Sequence, residues 1–327
     1  SDDLKDARVT AKVSVADVDG GEYVLRFTCA DHQTKARSFA AEIPVNASGD
    51  YTIEADAKDV YLWNTWDKGG VWLYDMNVEL VKDGEVIQVH SESTGFRKIE
   101  MVRTSEITRF YLNGKAFYVR GTSYFPDIYV SNMCYERYKR DLLSIKAAGF
   151  NLVRIHVHVD LPIFYQLCSE IGIGVMQDSE YNWMHPADDE YAERFIRVYL
   201  DTVKLLKRYS AMFCWICMNE PGLEDPLGRD TGRAMTINPG PALYKAVQEL
   251  DPSSPIIKGS YCENDPTSGD SHNYTGSLNG ADGHYSDIYG SVEKYNTEYG
   301  FDAPGCIYGL KQCPPVLKRL AKIEDRL

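Results

Sequence analysis

The first hundred residues of the chain alternate between apolar and polar side chains with a period of two. Residues 71–80 show the alternation most clearly, and residues 22–30 and 51–57 repeat it. Turn-forming residues separate these segments, and one Asp-Gly pair precedes a further predicted strand at 86–91. Short strands at this spacing, without a helical pattern between them, predict an antiparallel β-sandwich.

Beyond residue 103 the pattern changes to strands that alternate with amphipathic helices. Residues 212–220 are apolar almost throughout, which is typical of a strand buried on both faces in a parallel sheet. Repeated units of this kind build either an open doubly wound sheet or a closed (β/α)8 TIM barrel. No glycine-rich phosphate loop follows any predicted strand, which weakens the nucleotide-binding alternative. The pattern predicts strands at 116–125, 152–159, 174–178, 212–220, 255–261, 270–274 and 295–300, and helices at 135–148, 161–171, 188–209, 242–250 and 315–326.

The length of 327 residues fits two domains, which we place at 1–103 for the sandwich and 104–327 for the α/β barrel. The second domain shows seven predicted strands, whereas a closed barrel needs eight. We therefore expect a barrel that lacks its eighth strand within this chain, as in a C-terminally incomplete fragment of a larger protein. The chain begins at Ser1 without an initiator methionine or a signal sequence, so we expect a trimmed chain. Periplasmic, secreted and cytoplasmic locations all stay open.

The composition excludes some classes of partner. The formal net charge is −13, so neither a nucleic acid nor an anionic membrane surface is an expected partner, because both attract basic patches. The sequence contains no apolar run of about 18 residues, the length that a membrane-spanning helix needs. It leaves the oligomeric state open, a homo-oligomer included.

Cys214 and Cys217 form a C-x-x-C pair that admits two interpretations. Such a pair can bind zinc or carry redox chemistry. These two lie in an apolar run, and neither a second pair nor two histidines at ligand spacing accompany them, which favours two buried thiols. The sequence therefore predicts no metal site and no cofactor.

Two predicted strands of the barrel domain end on a carboxylate. Glu220 follows the fourth strand, directly after Asn219, and Glu298 lies in the seventh. In a parallel barrel the chemistry takes place at the carboxyl ends of the strands. A glycosidase needs two carboxyl groups on either side of the scissile bond, and Asn219 could offer its amide to a sugar hydroxyl. Either glutamate alone would be a weak signal, but their joint placement is specific.

At this point the chain resembles glycoside hydrolase family 2, the group that contains β-galactosidases, β-glucuronidases and β-mannosidases. The resemblance runs from about residue 61 to residue 304. It covers a segment late in the family's immunoglobulin-like sandwich, the junction into the barrel, the first two barrel strands and both carboxylate motifs. The matching segments are Tyr-Leu-Trp at 61–63, Val-Trp-Leu-Tyr at 71–74, Thr-Gly-Phe-Arg-Lys-Ile-Glu at 94–100, Phe-Tyr-Leu-Asn-Gly-Lys at 110–115, Arg-Gly at 120–121, Gly-Phe-Asn-Leu-Val-Arg at 149–154, Phe-Tyr-Gln-Leu-Cys at 164–168, Asn-Glu at 219–220 and Glu-Tyr-Gly at 298–300.

The resemblance implies a retaining exo-β-glycosidase that hydrolyses terminal β-linked sugars by double displacement. Glu298 would be the nucleophile and Glu220 the general acid/base, with carboxyl groups about 5–5.5 Å apart, as retention requires. Arg154 would keep the nucleophile ionised by charge pairing, and a structural ion pair in the barrel would not exclude this role. No metal is needed for this mechanism, because two carboxylates suffice.

The resemblance also suggests residues that line the sugar site. His272 and Tyr274 resemble a pair on the sixth strand, where the tyrosine donates a hydrogen bond to the nucleophile. His156 and Trp183 follow the second and third strands and would point to the same end of the barrel. Both could bind substrate, whereas His156 could equally be a satisfied core histidine and Trp183 a loop anchor.

The sequence leaves the sugar open. Val-Met-Gln-Asp at 175–178 and Gly-Thr-Ser-Tyr at 121–124 resemble β-mannosidases and exo-glucosaminidases, whereas Asn-Glu-Pro at 219–221 resembles β-glucuronidases. The His-Tyr-Pro run of β-galactosidases is replaced by His-Val-His-Val-Asp at 156–160. The alternative to an active enzyme is a carbohydrate-binding relative without catalysis, or an inactive fragment of such an enzyme.

Overall fold

A computed structural model describes residues 4–104, 106–182, 188–221, 239–261, 271–275, 285–290 and 294–299. The chain divides into two compact units, Ser1–Asp270 and Ser271–Leu327, and each is described by itself. Among the described residues, no helix combines the length and the apolar character needed to cross a bilayer.

The first unit begins with a sandwich of two antiparallel sheets, as the period of two predicts. Strand β2 (Tyr23–Asp31) buries every second residue, and its Phe27 and Cys29 share a core with Ile53 and Ala55 from the facing sheet. One sheet pairs β1 (Ala7–Val15) with β4 (Gly49–Ala57). The other has the order β3-β2-β5-β6, formed by β2 (Tyr23–Asp31), β3 (Ser38–Val45), β5 (Tyr74–Lys82) and β6 (Glu85–Thr94).

A three-stranded antiparallel sheet connects the sandwich to the barrel strands. It consists of β7 (Ile99–Arg103), β8 (Thr108–Leu112) and β9 (Lys115–Phe117). The rings of Phe110 and Phe117 lie 5.5 and 4.7 Å from that of Phe213, so this sheet packs against the parallel sheet that follows.

The predicted single strand at 116–125 is wrong, because it divides into β9 and a separate strand, β10 (Gly121–Tyr124), in another sheet. The side chain of Asn151 explains the break. Its amide donates to the carbonyl of Tyr118, and its oxygen accepts from the backbone N–H of Arg120. A side chain thus occupies the backbone groups that a continuous strand would offer to a neighbour.

A five-stranded parallel sheet follows, in the order β10-β11-β12-β13-β14, which is also the chain order. An open doubly wound sheet would reverse this order at a switch point, so the winding is that of a barrel. Every residue of β11, β12 and β13 is buried, as predicted for strands covered on both faces. The strands are β11 (Leu152–Ile155), β12 (Gly174–Asp178), β13 (Met212–Ile216) and β14 (Ile256–Ile257), and the helices are α1 (Tyr135–Ala147), α2 (Pro162–Ile171), α3 (Asp189–Leu206) and α4 (Gly240–Leu250).

The part of the second unit that the structure describes forms two parallel strands, β15 (Ser271–Asn273) and β16 (Asn296–Tyr299), and a 3-10 segment, Tyr285–Gly290. The strands predicted at 270–274 and 295–300 are therefore present with slightly shorter bounds. The helix predicted at 315–326 lies outside the described residues.

The sandwich packs tightly against the parallel sheet's helices. The fully buried Trp63 donates its indole N–H to the carbonyl of Ser169 in α2 at 2.8 Å. Gly172, which ends α2 with a φ of +80°, lies so close to the sandwich that an added Cβ would be 2.6 Å from Val71 and 2.8 Å from the backbone of Trp66. The junction between the two domains is thus a part of the core.

Candidate active site

The carboxyl ends of β10 to β14 lie along one edge of the parallel sheet, here called the carboxyl edge. Glu220 lies at this edge, four residues beyond the end of β13, and is half-buried. Backbone hydrogen bonds continue past the strand: the N–H of Asn219 donates to Tyr181, and that of Glu220 donates to Ser260 at 2.9 Å. The chain from β13 therefore stays fixed between its two neighbours as far as the carboxylate.

Glu220 has a backbone φ of 45°, in the left-handed region that side chains with a Cβ rarely adopt. Such a conformation costs on the order of 1–3 kcal/mol and persists only where the surroundings enforce it. Here the hydrogen bond from its own N–H to Ser260 and that from Ser260 to Met218 enforce it. The backbone thus directs the Glu220 side chain away from the course of a regular strand.

A buried polar network lies beside Glu220 at the same edge. Arg154, at 4% exposure, donates from Nε and Nη2 to the two oxygens of Asp178 at 3.0 and 2.7 Å. Nη2 also donates to Oδ1 of Asn219 at 2.7 Å, and the amide of Asn219 donates to Oδ1 of Asn182 at 2.8 Å. Three strands are thereby tied together through side chains.

This network contains two of the predicted site residues, Arg154 and Asn219. Arg154 forms the structural ion pair that the sequence allowed, with Asp178 as the partner, while its pairing with the nucleophile stays a prediction. Asn219 is 1% exposed, and its amide group is oriented by Arg154 and Asn182. Substrate binding by Asn219 also stays a prediction.

Sequence reasoning missed Asp178 as a site residue, although a signal was present. Asp178 is the last residue of β12 and is fully buried, so it obeys the strand-end rule that identified Glu220. A buried carboxylate requires a partner, and Arg154 on the neighbouring strand provides it.

Two histidines follow β11. His156 is half-buried, and its ring lies 5.2 Å from that of Phe125. His158 has its Nδ1 2.9 Å from the carbonyl of His156 and its Nε2 3.0 Å from Asp160. Burial alone lowers the pKa of His158, but the hydrogen bonds to Asp160 and to the carbonyl outweigh burial and raise it. The His156 ring lies beside an aromatic ring at the carboxyl edge. The role of His156 in substrate binding stays a prediction.

In the second unit Glu298 lies on β16, next to β15. The Tyr274 hydroxyl donates to Oε2 of Glu298, so the hydrogen bond that the resemblance implied is present. Nδ1 of His272 lies 3.5 Å from the same oxygen, and the side chains of His272 and Glu298 are 1% and 14% exposed. The backbone N–H of Glu298 donates to Oδ1 of Asn296 at 3.0 Å, which fixes the strand at this position. The carboxylate is thus held by a phenol and lies beside an imidazole.

Cys214 and Cys217 are buried thiols, as the sequence favoured, and burial raises the pKa of Cys217 far above its usual range. Trp183 lies outside the described residues.

Curated relatives align with most of this chain. It is 25% identical to β-mannosidase B of Aspergillus clavatus over 92% of its length, and 26% identical to a β-galactosidase of Staphylococcus xylosus over 77%. It covers 38% of the first relative and 25% of the second, so the chain spans well under half the length of these proteins.

Solved structures share the fold. A β-D-mannosidase from Dictyoglomus thermophilum superposes with a TM-score of 0.80 at 20% identity, covering 94% of this chain and 40% of that one. A β-glucuronidase from Parabacteroides merdae superposes with a TM-score of 0.74, also at 20% identity, covering 93% and 38%. This likeness confirms the predicted architecture of a sandwich followed by a TIM-barrel portion.

Two family models cover nearly the whole described chain. Residues 1–97 match the model described as "Glycosyl hydrolases family 2", and residues 102–296 match "Glycosyl hydrolases family 2, TIM barrel domain". The second match alone includes more than half of the chain. The chain therefore belongs to glycosyl hydrolases family 2.

Proposed function

We propose that this chain holds the catalytic carboxylates of a retaining exo-β-glycosidase, with Glu298 as the nucleophile and Glu220 as the general acid/base. The observation that carries the proposal is the setting of Glu298 on β16, where the Tyr274 hydroxyl donates to its carboxylate. A hydrogen bond of this kind favours the ionised form, which a nucleophile needs. Membership of the family and the names of its relatives support the reaction class.

The reaction would take place in two displacements. In the first, a Glu298 oxygen attacks the anomeric carbon, and Glu220 gives its proton to the glycosidic oxygen as the bond to the leaving group breaks. In the second, Glu220 removes a proton from water, which attacks the anomeric carbon and releases Glu298. Each step inverts the anomeric centre, so the product retains the β configuration.

The buried network beside Glu220 supports the assignment of the acid/base. Arg154 pairs with Asp178 and donates to Oδ1 of Asn219, the residue before Glu220, so that the pair orients this amide. A buried network of this kind holds the residue before Glu220 in one position, which suits a general acid/base that has to stay aligned with the glycosidic oxygen.

A panel of aryl β-glycosides tests the function and identifies the sugar. The galactoside, mannoside, glucuronide and glucosaminide are assayed on the full-length protein that carries this chain, together with the Glu220→Ala and Glu298→Ala variants. We expect turnover of one glycoside, loss of turnover in Glu298→Ala, and glycosylation in Glu220→Ala that stays fast only with good leaving groups. Sugar binding without turnover would favour a carbohydrate-binding relative instead. An equal loss with good and poor leaving groups would contradict the role of Glu220.

A further inference from the structure

Phe125 is an exposed aromatic residue at the carboxyl edge. It follows β10 directly, and its side chain is 61% exposed. Single exposed apolar residues are common on protein surfaces and need no explanation by themselves. Two further observations separate Phe125 from such residues. They are the contacts of its neighbours in the chain and the imidazole rings beside its own ring.

Residues on both sides of Phe125 contact the rest of the fold. Tyr124 before it is buried and stacks on Phe164, with ring centroids 4.9 Å apart. Asp127 after it accepts from the N–H of Tyr129 at 2.9 Å, and its own N–H points to the sulfur of Met133. The aromatic ring is therefore exposed to solvent between two residues that contact the rest of the fold.

Two imidazoles flank the ring. The His156 ring is tilted by 50° at a centroid distance of 5.2 Å, and the His158 ring is nearly parallel to it at 6.4 Å. The hydrogen bonds of His158 to Asp160 and to the carbonyl of His156 hold the second imidazole in place. An apolar ring face and polar ring nitrogens thus lie side by side.

This combination matches the chemistry of a pyranose. A sugar ring has apolar C–H faces, which pack on aromatic rings, and hydroxyl groups at its rim, which need hydrogen-bond partners. The polar network of Arg154, Asp178 and Asn219 lies on β11, on β12 and beyond β13, whereas Phe125 follows β10. Three strand spacings of about 4.8 Å separate β10 from β13, so the strand that leads to Phe125 lies roughly 14 Å along the sheet from the strand that leads to Glu220.

We propose that Phe125 is the stacking platform of a leaving-group subsite, which binds the sugar on the far side of the scissile bond, with His156 as its polar partner. The proposal rests on the proposed glycosidase function, and it adds that the natural substrate is a β-linked oligosaccharide. The sugar that is cleaved would lie beside Glu220, and its neighbour in the oligosaccharide would stack on Phe125.

The test compares two substrates that share the sugar to be cleaved. One is the glycosyl fluoride, whose leaving group has no ring, and the other is the matching β-linked disaccharide, for the sugar that the aryl-glycoside panel selects. Phe125→Ala should lower kcat/KM for the disaccharide by roughly tenfold, through the loss of stacking and of buried apolar area. It should leave kcat/KM for the fluoride within about twofold, since the sugar that reacts is unchanged. Phe125→Trp should retain disaccharide turnover.

Tyr118→Ala is the matched control. Tyr118 is an aromatic residue with 77% exposure that precedes β10, at the opposite end of the strand. This variant should change neither substrate's kcat/KM. An equal loss on fluoride and disaccharide in Phe125→Ala, or no loss on either, would overturn the proposal.

A binding measurement separates this proposal from the proposed function. If no glycoside is turned over, saturation-transfer NMR is recorded with the methyl glycosides of β-mannobiose, lactose, cellobiose and chitobiose. Saturation of the reducing-end ring that disappears in Phe125→Ala but persists in Tyr118→Ala would support the subsite, although the enzyme assignment had failed. No saturation of any disaccharide, or saturation that Phe125→Ala leaves intact, would overturn the subsite as well.

Discussion

Arg154 and Asp178 form a two-point ion pair between neighbouring strands, with N–O distances of 3.0 and 2.7 Å. Both side chains are buried, at 4% and 0% exposure. The Nη2 atom that contacts Asp178 also donates to Asn219, the residue before Glu220. The pair therefore supports both the stability of the parallel sheet and the position of the proposed general acid/base.

Asp178→Asn should destabilise the protein strongly. It removes the negative charge that the buried guanidinium of Arg154 contacts at two points, and breaking a buried pair in this way costs about 3–5 kcal/mol in the free energy of unfolding. Chemical denaturation measures this loss. The control is Asp56→Asn, which removes a surface pair with Arg8 and should leave the midpoint unchanged. Similar midpoints for the two variants would show that the buried pair is not structural.

Gly172→Ala and Gly149→Ala test the junction between sandwich and barrel. Both glycines have a positive φ, +80° and +88°, so alanine introduces backbone strain of about 1–2 kcal/mol at either position. At Gly149 an added Cβ meets no atom within 4 Å, whereas at Gly172 it would approach Val71 to 2.6 Å. Thermal denaturation should therefore show a clearly larger loss for Gly172→Ala. Equal losses would mean that the junction adapts without cost.

Tyr274→Phe should reduce catalysis without unfolding the protein. The substitution removes the hydroxyl that donates to Glu298, and a hydrogen bond to a charged group contributes about 1.5–3 kcal/mol. This corresponds to a decrease in kcat/KM of roughly 10- to 150-fold. Tyr299→Phe is the control, because this side chain is 66% exposed on the same strand. Unchanged kinetics in Tyr274→Phe would contradict the proposal that the hydrogen bond from Tyr274 supports Glu298 as the nucleophile.

His158 predicts a pH dependence of stability. Its pKa in the folded chain is raised above the ordinary value of 6.5, because the hydrogen bonds to Asp160 and to a backbone carbonyl outweigh its burial. Its contribution to stability is therefore fully present below pH 6.5 and is lost as the pH rises through the raised folded value. His158→Gln should consequently cost more stability at pH 5.5 than at pH 8.5. NMR titration of the ring checks the direction, and a folded pKa below 6.5 would contradict it.

The sequence predicted best those strands whose burial is set by their own composition. Strand β12 has the predicted bounds, and β13 begins at the predicted residue, where a long apolar run marks a strand that is covered on both faces. Strands β1 and β3 were not predicted. β1 alternates small apolar residues with polar ones, and β3 contains Pro44, which is tolerated in an edge strand but hides the pattern.

In the candidate site, too, some features could be predicted from the sequence and others could not. Glu220 and Glu298 were found because strand ends mark chemistry in a parallel barrel, a rule that can be applied to the sequence. The contacts that orient the site were not predictable in this way. Asn219 contacts Arg154 and Asn182, which are 65 and 37 residues away, and only the folded chain brings these side chains together.

The central claim is that Glu298 forms the covalent bond to the sugar. A 2-deoxy-2-fluoro glycosyl fluoride of the preferred sugar should form this bond and break it slowly, so that the labelled protein accumulates. Peptide mass spectrometry then locates the label. We predict a single modified residue, Glu298, and no label in Glu298→Gln. A label on Glu220 or Asp178, or steady turnover of the natural sugar by the Glu298→Gln variant, would contradict the account.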